Sequence, residues 1–370
     1  MAQYGLDYTW EAHEVKTNDG YLLTMFRIIG DETGASLPDQ GSKGPLLIQH
    51  GFMTDSISWF DISDSTRPAL PVRLFQEGFD VWLGNNRGTM NSRRHVDLDA
   101  DEDAWSYWDF SHHEFAAFDV PQMTAKIAQV NKTCRKISVL GHSLGSMQMF
   151  YALGRSSYMR PYFAQIVALS PCFIPGSKTY VENLTSEVYT TLSGIFTMLD
   201  IDSMFGPNWP SQLKGLCAVL GKDSEECFML KNIPVGPLAG GDIRGYSEIG
   251  AQQLKHLGQV AMTGRFQYYQ EAFVIERAFG IKGKLIHVDR IDEPPIKFLY
   301  IDGDATCPID VQKPYAESIP SAKSHYTIYG RTHNYVVGDN DDEFFKLVVE
   351  NLSDHQHILS PDDCSKLMGD

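Results

Sequence analysis

Ser143 stands in the pentapeptide Gly141-His142-Ser143-Leu144-Gly145. A serine with glycines two residues before and after it fits a sharp strand-to-helix turn that lifts a hydroxyl out of a sheet. The flanks agree: the apolar run Ile137-Ser138-Val139-Leu140 precedes the turn, and the helical run Met147-Gln148-Met149-Phe150-Tyr151 follows it. A serine hydroxyl is a weak nucleophile and needs a base. Around such turns the chain order is serine, acid, histidine. His325, His333, His355 and His357 lie late enough to serve. His325 begins a strand, and His355 and His357 sit in a polar tail. His333 follows the strand ending at Tyr329, in the loop Gly330-Arg331-Thr332-His333-Asn334. Loops at the carboxyl ends of strands carry the reacting groups of open α/β sheets, so His333 is the expected base. The preceding strand end offers Asp302, Asp304 and Asp310. Asp304, just past Gly303 and four residues before Pro308, is the expected acid, holding the imidazole tautomer, with Asp302 as the alternative.

An attacked carbonyl develops negative charge, which two preorganised backbone N–H groups can hold. Leu144, directly after the serine, offers one. Phe52 in His50-Gly51-Phe52-Met53 offers the other, with Gly51 allowing a close approach. His50 reads as a structural hydrogen-bonding residue beside the site. Other clusters read as bland. Asp97, Asp99, Asp101 and Asp103 alternate like the start of a calcium loop, but Glu102 and Trp108 stand where such a loop needs Gly and Glu. This stretch reads as a solvated acidic loop. His112-His113 and His355-x-His357 have no further ligand at a diagnostic spacing. No cofactor or metal is expected.

Short, nearly all-apolar runs must position these residues: 46–50, 80–83, 137–140, 166–169, 297–301 and 325–329. Such runs are typical of strands buried on both faces of a parallel sheet. A hairpin is expected over 12–29, turning at Asn18-Asp19-Gly20. Helical patterns lie between the strands, at 68–76, 113–130 (with Pro121 as a kink), 143–153 and 341–352. Strands alternating with helices predict a doubly wound α/β fold. Between 169 and 297 that rhythm stops, among Pro171, Pro175, Pro207, Pro210, Pro234 and Pro237. This stretch reads as an inserted, mostly helical cap with helices near 186–198 and 249–260. Its apolar residues Phe173, Ile174, Leu192, Ile195, Phe196, Met198 and Leu199 could form an acyl pocket or cap core.

The chain has 370 residues, 43 % of them apolar, and a net charge of −16. This apolar fraction excludes a disordered chain, and the acidic balance lacks the footprint of a nucleic-acid binder. No apolar run is long enough for a membrane span. The first residues carry no signal-peptide pattern. None of the six cysteines forms a C-x-x-C pair, which argues against zinc or thioredoxin-like chemistry. The sequons at Asn131, Asn183 and Asn351 lean towards the secretory pathway.

With these residues in view, the chain resembles the acid lipase family, the gastric and lysosomal acid lipases and their relatives, over almost its whole length. The resemblance is carried by His13-Glu14-Val15 with Asp19-Gly20-Tyr21-Leu22-Leu23, by His50-Gly51-Phe52 followed by Ser58-Trp59, and above all by Asp80-Val81-Trp82-Leu83-Gly84-Asn85-Asn86-Arg87-Gly88. Trp105-Ser106-Tyr107-Trp108-Asp109-Phe110-Ser111, Asp119-Val120-Pro121 and the stretch from Gln253 to Gln267 add to it. It implies an α/β-hydrolase fold, a mostly parallel central sheet with helices on both faces and an inserted mostly helical cap or lid. It also implies a Ser143–Asp304–His333 triad with Phe52 and Leu144 as oxyanion donors. A secreted or lysosomal home and a disulfide near Cys217 and Cys227 follow from it too. The sequence departs from the family at Leu144, in the short acid loop and after His333.

Together these readings predict a core over 1–171 and 291–370, interrupted by a cap over 172–290. The expected activity is hydrolysis of lipid esters such as triacylglycerols or sterol esters through an acyl-enzyme on Ser143. The expected partner is a lipid ester substrate at a lipid droplet or membrane surface, with no nucleic acid. The alternatives are a catalytically silent subunit of the same fold, or a same-fold esterase or thioesterase with a non-lipid substrate.

Overall fold

The structure is a computed structural model. It describes residues 8–31, 41–61, 66–176, 199, 201–204, 206, 209–222, 247–333, 335–338, 341–352 and 357–368. The first hairpin pairs β1 (Thr9–Lys16) with β2 (Tyr21–Gly30) antiparallel. β3 (Pro45–Gln49), α1 (Leu70–Gln76), β4 (Asp80–Gly84) and a short β5 (Arg94–His95) follow. Then come α2 (Val120–Asn131), β6 (Ile137–His142), α3 (Leu144–Arg155) and β7 (Phe163–Leu169).

The main sheet runs β1-β2-β4-β3-β6-β7-β10-β11, where β10 is Ile296–Ile301 and β11 is Ala322–Ile328. β4 through β11 on this path are parallel. Residues of one strand alternate between two cores. Leu46, Ile48, Val81, Leu83, Leu140, Leu299 and Ile301 join α1 on one face. Leu47, Trp82, Val139, Ile166, Phe298 and Tyr300 join α2 and α3 on the other. The two-residue side-chain period of a strand makes an apolar run bury both faces at once.

The expected single helix over 113–130 is three pieces. An α-turn over His112–Glu114 opens with a capping box on Ser111. A π-helical turn follows over Phe115–Asp119, and α2 then carries Pro121 in its first turn. The wider π turn, closed by the Val120 N–H on the Phe115 carbonyl, takes up the backbone that Pro121 would otherwise kink. Asp119 is thereby left fully buried. Its carboxylate accepts from Arg87 Nε at 2.8 Å and Nη2 at 2.7 Å, while Arg87 also pairs with Asp19 at the hairpin turn. One buried guanidinium thus locks the hairpin to the π turn.

The described part of 170–295 adds no strand to this sheet. It holds a two-stranded ribbon of β8 (Ser203–Met204) and β9 (Ile249–Gly250), with α4 (Trp209–Leu220), α5 (Ala251–Thr263) and α6 (Phe273–Ala278). The helix expected near 249–260 starts two residues later, because Ile249 and Gly250 pair with Met204 and Ser203. The helix expected over 186–198 lies outside the described residues, as do Leu192, Ile195, Phe196 and Met198. Phe173 and Ile174 are core residues of the sheet, and the Phe173 ring stacks on Phe150 at 4.5 Å.

Helices α7 (Ile309–Glu317), α8 (Asp342–Asn351) and α9 (Pro361–Met368) close the chain. Disulfides join Cys134 to Cys364 and Cys172 to Cys307. Cys217 is disulfide-bonded as well, and its expected partner Cys227 lies outside the described residues.

Candidate active site

The turn around Ser143 is built by crowding. A Cβ at Gly145 would lie 2.4 Å from the Gln49 carbonyl oxygen, and one at Gly141 would lie 2.7 Å from the Ser146 nitrogen. Only glycine lets β3 and the start of α3 approach this closely. Ser143 itself takes φ 52° and ψ −115°, a strained conformation that sets its side chain at the head of α3. Its N–H donates to the Leu169 carbonyl at 3.0 Å, which ties the turn to β7.

His333 brings the two other candidates together. Its Nε2 accepts from the Ser143 hydroxyl at 2.8 Å, and its Nδ1–H donates to Asp304 Oδ2 at 2.7 Å. The second Asp304 oxygen accepts from the Thr306 and Cys307 N–H groups at 2.9 and 2.7 Å. Burial pushes the Asp304 carboxyl up. The hydrogen bond and charge of His333 and the Cys307 amide outweigh burial and hold it below its ordinary value. Ser143, Asp304 and His333 are all buried.

The alternatives lie elsewhere. Asp302 is exposed and accepts from the Gly330 N–H, the work of a turn residue, and Asp310 is exposed in the first turn of α7. His325 bonds the Tyr300 hydroxyl from strand β11. His357 is exposed, and His355 lies outside the described residues.

The expected oxyanion turn borders the nucleophile. A Cβ at Gly51 would lie 3.5 Å from Ser143 Cβ. His50 accepts the Asn86 N–H on Nε2 at 3.2 Å, which leaves Nδ1–H to donate to the Gly51 carbonyl at 2.8 Å. Burial lowers the His50 pKa to about 4, so the ring stays neutral in this role. The Leu144 N–H is the first amide of α3 and has no carbonyl one helical turn earlier.

Two contributors were not read from the sequence. His142 donates from Nε2 to the His333 carbonyl at 2.9 Å and is held neutral by burial and by His333, with its pKa lowered to about 3. The Cys172–Cys307 disulfide fixes the loop whose Cys307 amide bonds Asp304. Its partners are 135 residues apart, so no local spacing announces them. Among the described residues, one grouping has metal-ligand types close together, namely Asp304, Cys307 and His333. The sulfur is tied up in the disulfide and the other two residues bond each other, so the donors are already committed. The acidic loop is self-capped: Asp99 accepts from the Asp101 and Glu102 N–H groups, and Asp101 pairs with Arg93.

Comparison with known proteins matches residues 44–192 to the α/β-hydrolase fold and residues 2–62 to a partial α/β-hydrolase lipase region. The chain has the α/β-hydrolase fold and is similar to lipases of that fold. It is 32 % identical to triacylglycerol lipase 2 of Arabidopsis thaliana over 239 residues, 62 % of this chain and 53 % of that protein. It is 30 % identical to lipase 1 of Drosophila melanogaster over 285 residues, 73 % of this chain and 58 % of that protein. The chain thus spans about half the length of these relatives. Among solved structures, the α/β-hydrolase GrgF from Penicillium sp. shares the fold, with a TM-score of 0.54 at 15 % identity over 98 % of this chain and all of that one.

Proposed function

We propose that this acid-lipase-like hydrolase cleaves carboxylic esters of lipids, triacylglycerols or sterol esters, through an acyl-enzyme on Ser143. The observation that carries this reading is the unbroken chain from Ser143 Oγ through both His333 nitrogens to Asp304. Ser143 Oγ attacks the ester carbonyl as His333 Nε2 takes the hydroxyl proton. Asp304 keeps the Nδ1–H tautomer and stabilises the imidazolium. The Phe52 and Leu144 N–H groups hold the oxyanion, each contributing about 10²–10³-fold in rate. His333 returns its proton to the leaving alcohol. Water then attacks the acyl-enzyme by the same route in reverse order, releasing the fatty acid.

Residues 172–290 form the cap over this site in the same reading. Support comes from the apolar cluster of Ile201, Met204, Leu216, Ile249 and Ala251, which packs on Phe52 and Met53. A secretory-pathway home is supported by the disulfides, which persist in oxidising compartments. The sequons add less: the Asn351 side chain is buried on the Leu347 carbonyl, and Asn131 bonds Asp80. Among the described residues no helix is long and apolar enough to cross a membrane. A fluorophosphonate probe together with p-nitrophenyl and glyceride esters tests the proposal. Labelling and turnover in the native protein, both lost in Ser143→Ala with the fold retained, are expected. A folded native protein that neither labels nor turns over would sink it.

A further inference from the structure

The turn that carries Phe52 is held from two sides. On the core side, the Gly51 carbonyl accepts from His50 Nδ1–H at 2.8 Å and from the Thr54 hydroxyl at 3.1 Å. A trans peptide is planar, so pinning that carbonyl aims the Phe52 N–H of the same plane the opposite way. On the other side, Met53 adopts φ 61°, a left-handed conformation that a residue with a side chain keeps only when its surroundings impose it.

The imposing contacts come from the inserted region. The Ser247 N–H donates to the Met53 carbonyl at 2.9 Å, and Ser247 Oγ accepts the Met90 N–H at 2.7 Å. The next residue, Glu248, is buried and spans two elements. One oxygen accepts from the Ser203 hydroxyl at 2.6 Å, the other from Arg93 Nε at 2.8 Å. The remaining Arg93 nitrogens grip both oxygens of Asp101, at 2.9 and 2.7 Å. Asp101–Arg93–Glu248 therefore fastens the start of β9 to the core beside the oxyanion turn. No local spacing announces this clamp, since Arg93 and Glu248 are 155 residues apart.

We propose that Ser247 and Glu248 are positioning residues for ester hydrolysis at Ser143. Clamped by Arg93, they hold the Met53 carbonyl and keep the Phe52 N–H aimed at the developing oxyanion. This rests on the hydrolase reading above. The inserted region would then complete the oxyanion hole as well as cover it. A shift of the 201–204 and 247–251 strip would change the rate of the chemical step before it changed substrate binding.

The test compares Glu248→Ala, Glu248→Gln and Arg93→Met with the native chain on a p-nitrophenyl ester and its thiono analogue. A C=S group accepts hydrogen bonds weakly, so turnover of the thiono ester depends little on the oxyanion donors. Loss of one donor outright costs about 10²–10³ in kcat, and a misaimed donor costs less. In Glu248→Ala and Arg93→Met, kcat on the oxo ester is expected to fall about tenfold. KM should stay close to native, and the oxo-to-thiono rate ratio should fall with kcat. Glu248→Gln, which still accepts a hydrogen bond, should recover most of the loss. Unchanged kcat in Glu248→Ala would overturn the proposal. So would equal losses on both esters alongside a lowered Tm, the signature of a merely structural clamp. A native protein inert to both esters and to fluorophosphonate would overturn the hydrolase reading and this proposal with it.

Discussion

Among the described residues, His333 and the pair His112 and His256 are two groups of buried histidines that behave differently for a physical reason. His333 has a partner on each nitrogen, a hydroxyl on one side and a carboxylate on the other. His112 is more deeply buried, and its ring nitrogens meet no side-chain partner, only an approach to the Gln253 backbone. It stacks on His256 with ring centres 5.3 Å apart. His256 Nε2 faces the Gln267 carbonyl and the Tyr151 hydroxyl, and its Nδ1 is unpartnered. Burial, joined at His112 by the neighbouring ring of His256, drives both pKa values down, that of His256 to about 4. Both groups are buried, but only the first has an ordered path for a proton. Burial alone makes a histidine a neutral packing ring; a carboxylate on one nitrogen and a serine hydroxyl on the other give His333 a path for a proton.

The contrast can be broken most sharply at the proposed triad. Ser143→Ala or His333→Ala should lower kcat about a millionfold, measured against the uncatalysed background, with the fold intact by circular dichroism. Asp304→Asn should cost about ten-thousandfold, because the amide no longer selects the Nδ1–H tautomer. The double change Cys172→Ser with Cys307→Ser should destabilise the chain by about 2–5 kcal/mol in denaturant unfolding. It should also lower kcat, since the Cys307 amide that bonds Asp304 is freed.

A smaller effect concerns acid. His50, His112, His142 and His256 all have folded pKa values below the ordinary 6.5. Below pH 6.5 the unfolded chain takes up protons that the folded one refuses. Their contribution to stability is complete above that pH and is lost as pH falls from there through the folded values, about 4 for His50 and His256 and about 3 for His142. Urea midpoints measured from pH 7 to pH 4 should therefore decline. The smallest expected change is His112→Phe, which keeps an aromatic ring and removes two poorly satisfied nitrogens. At pH 7 it should alter stability by no more than about 1 kcal/mol and leave kcat unchanged. Its midpoint should decline less steeply with acid than the native one. A decline as steep as the native would mean that burial does not hold the His112 pKa down in the folded chain.

The sheet was legible because each parallel strand is a short apolar run, and burial on both faces demands that composition. Ser143, Asp304 and His333 were legible because each follows a strand end in a fixed chain order. The turn at Phe52 showed through Gly51. What stayed hidden depends on contacts between distant segments. The Cys134–Cys364 bond spans 230 residues, and the Arg93–Glu248 pair joins the first half of the chain to the stretch between β7 and β10. The π turn at Phe115–Asp119 was missed for another reason: its apolar spacing is helical, and only the buried carboxylate of Asp119, drawn onto Arg87, marks the extra residue.

The two long-range disulfides also set what a protease could do to this chain. A single cut anywhere between residues 173 and 306 divides the polypeptide, yet Cys134 and Cys172 on one piece remain bonded to Cys364 and Cys307 on the other. Such a nicked protein would run as one band without reductant and as two with it. Ser143 would travel with the first band and Asp304 and His333 with the second, so the three residues would belong to two polypeptides of one molecule.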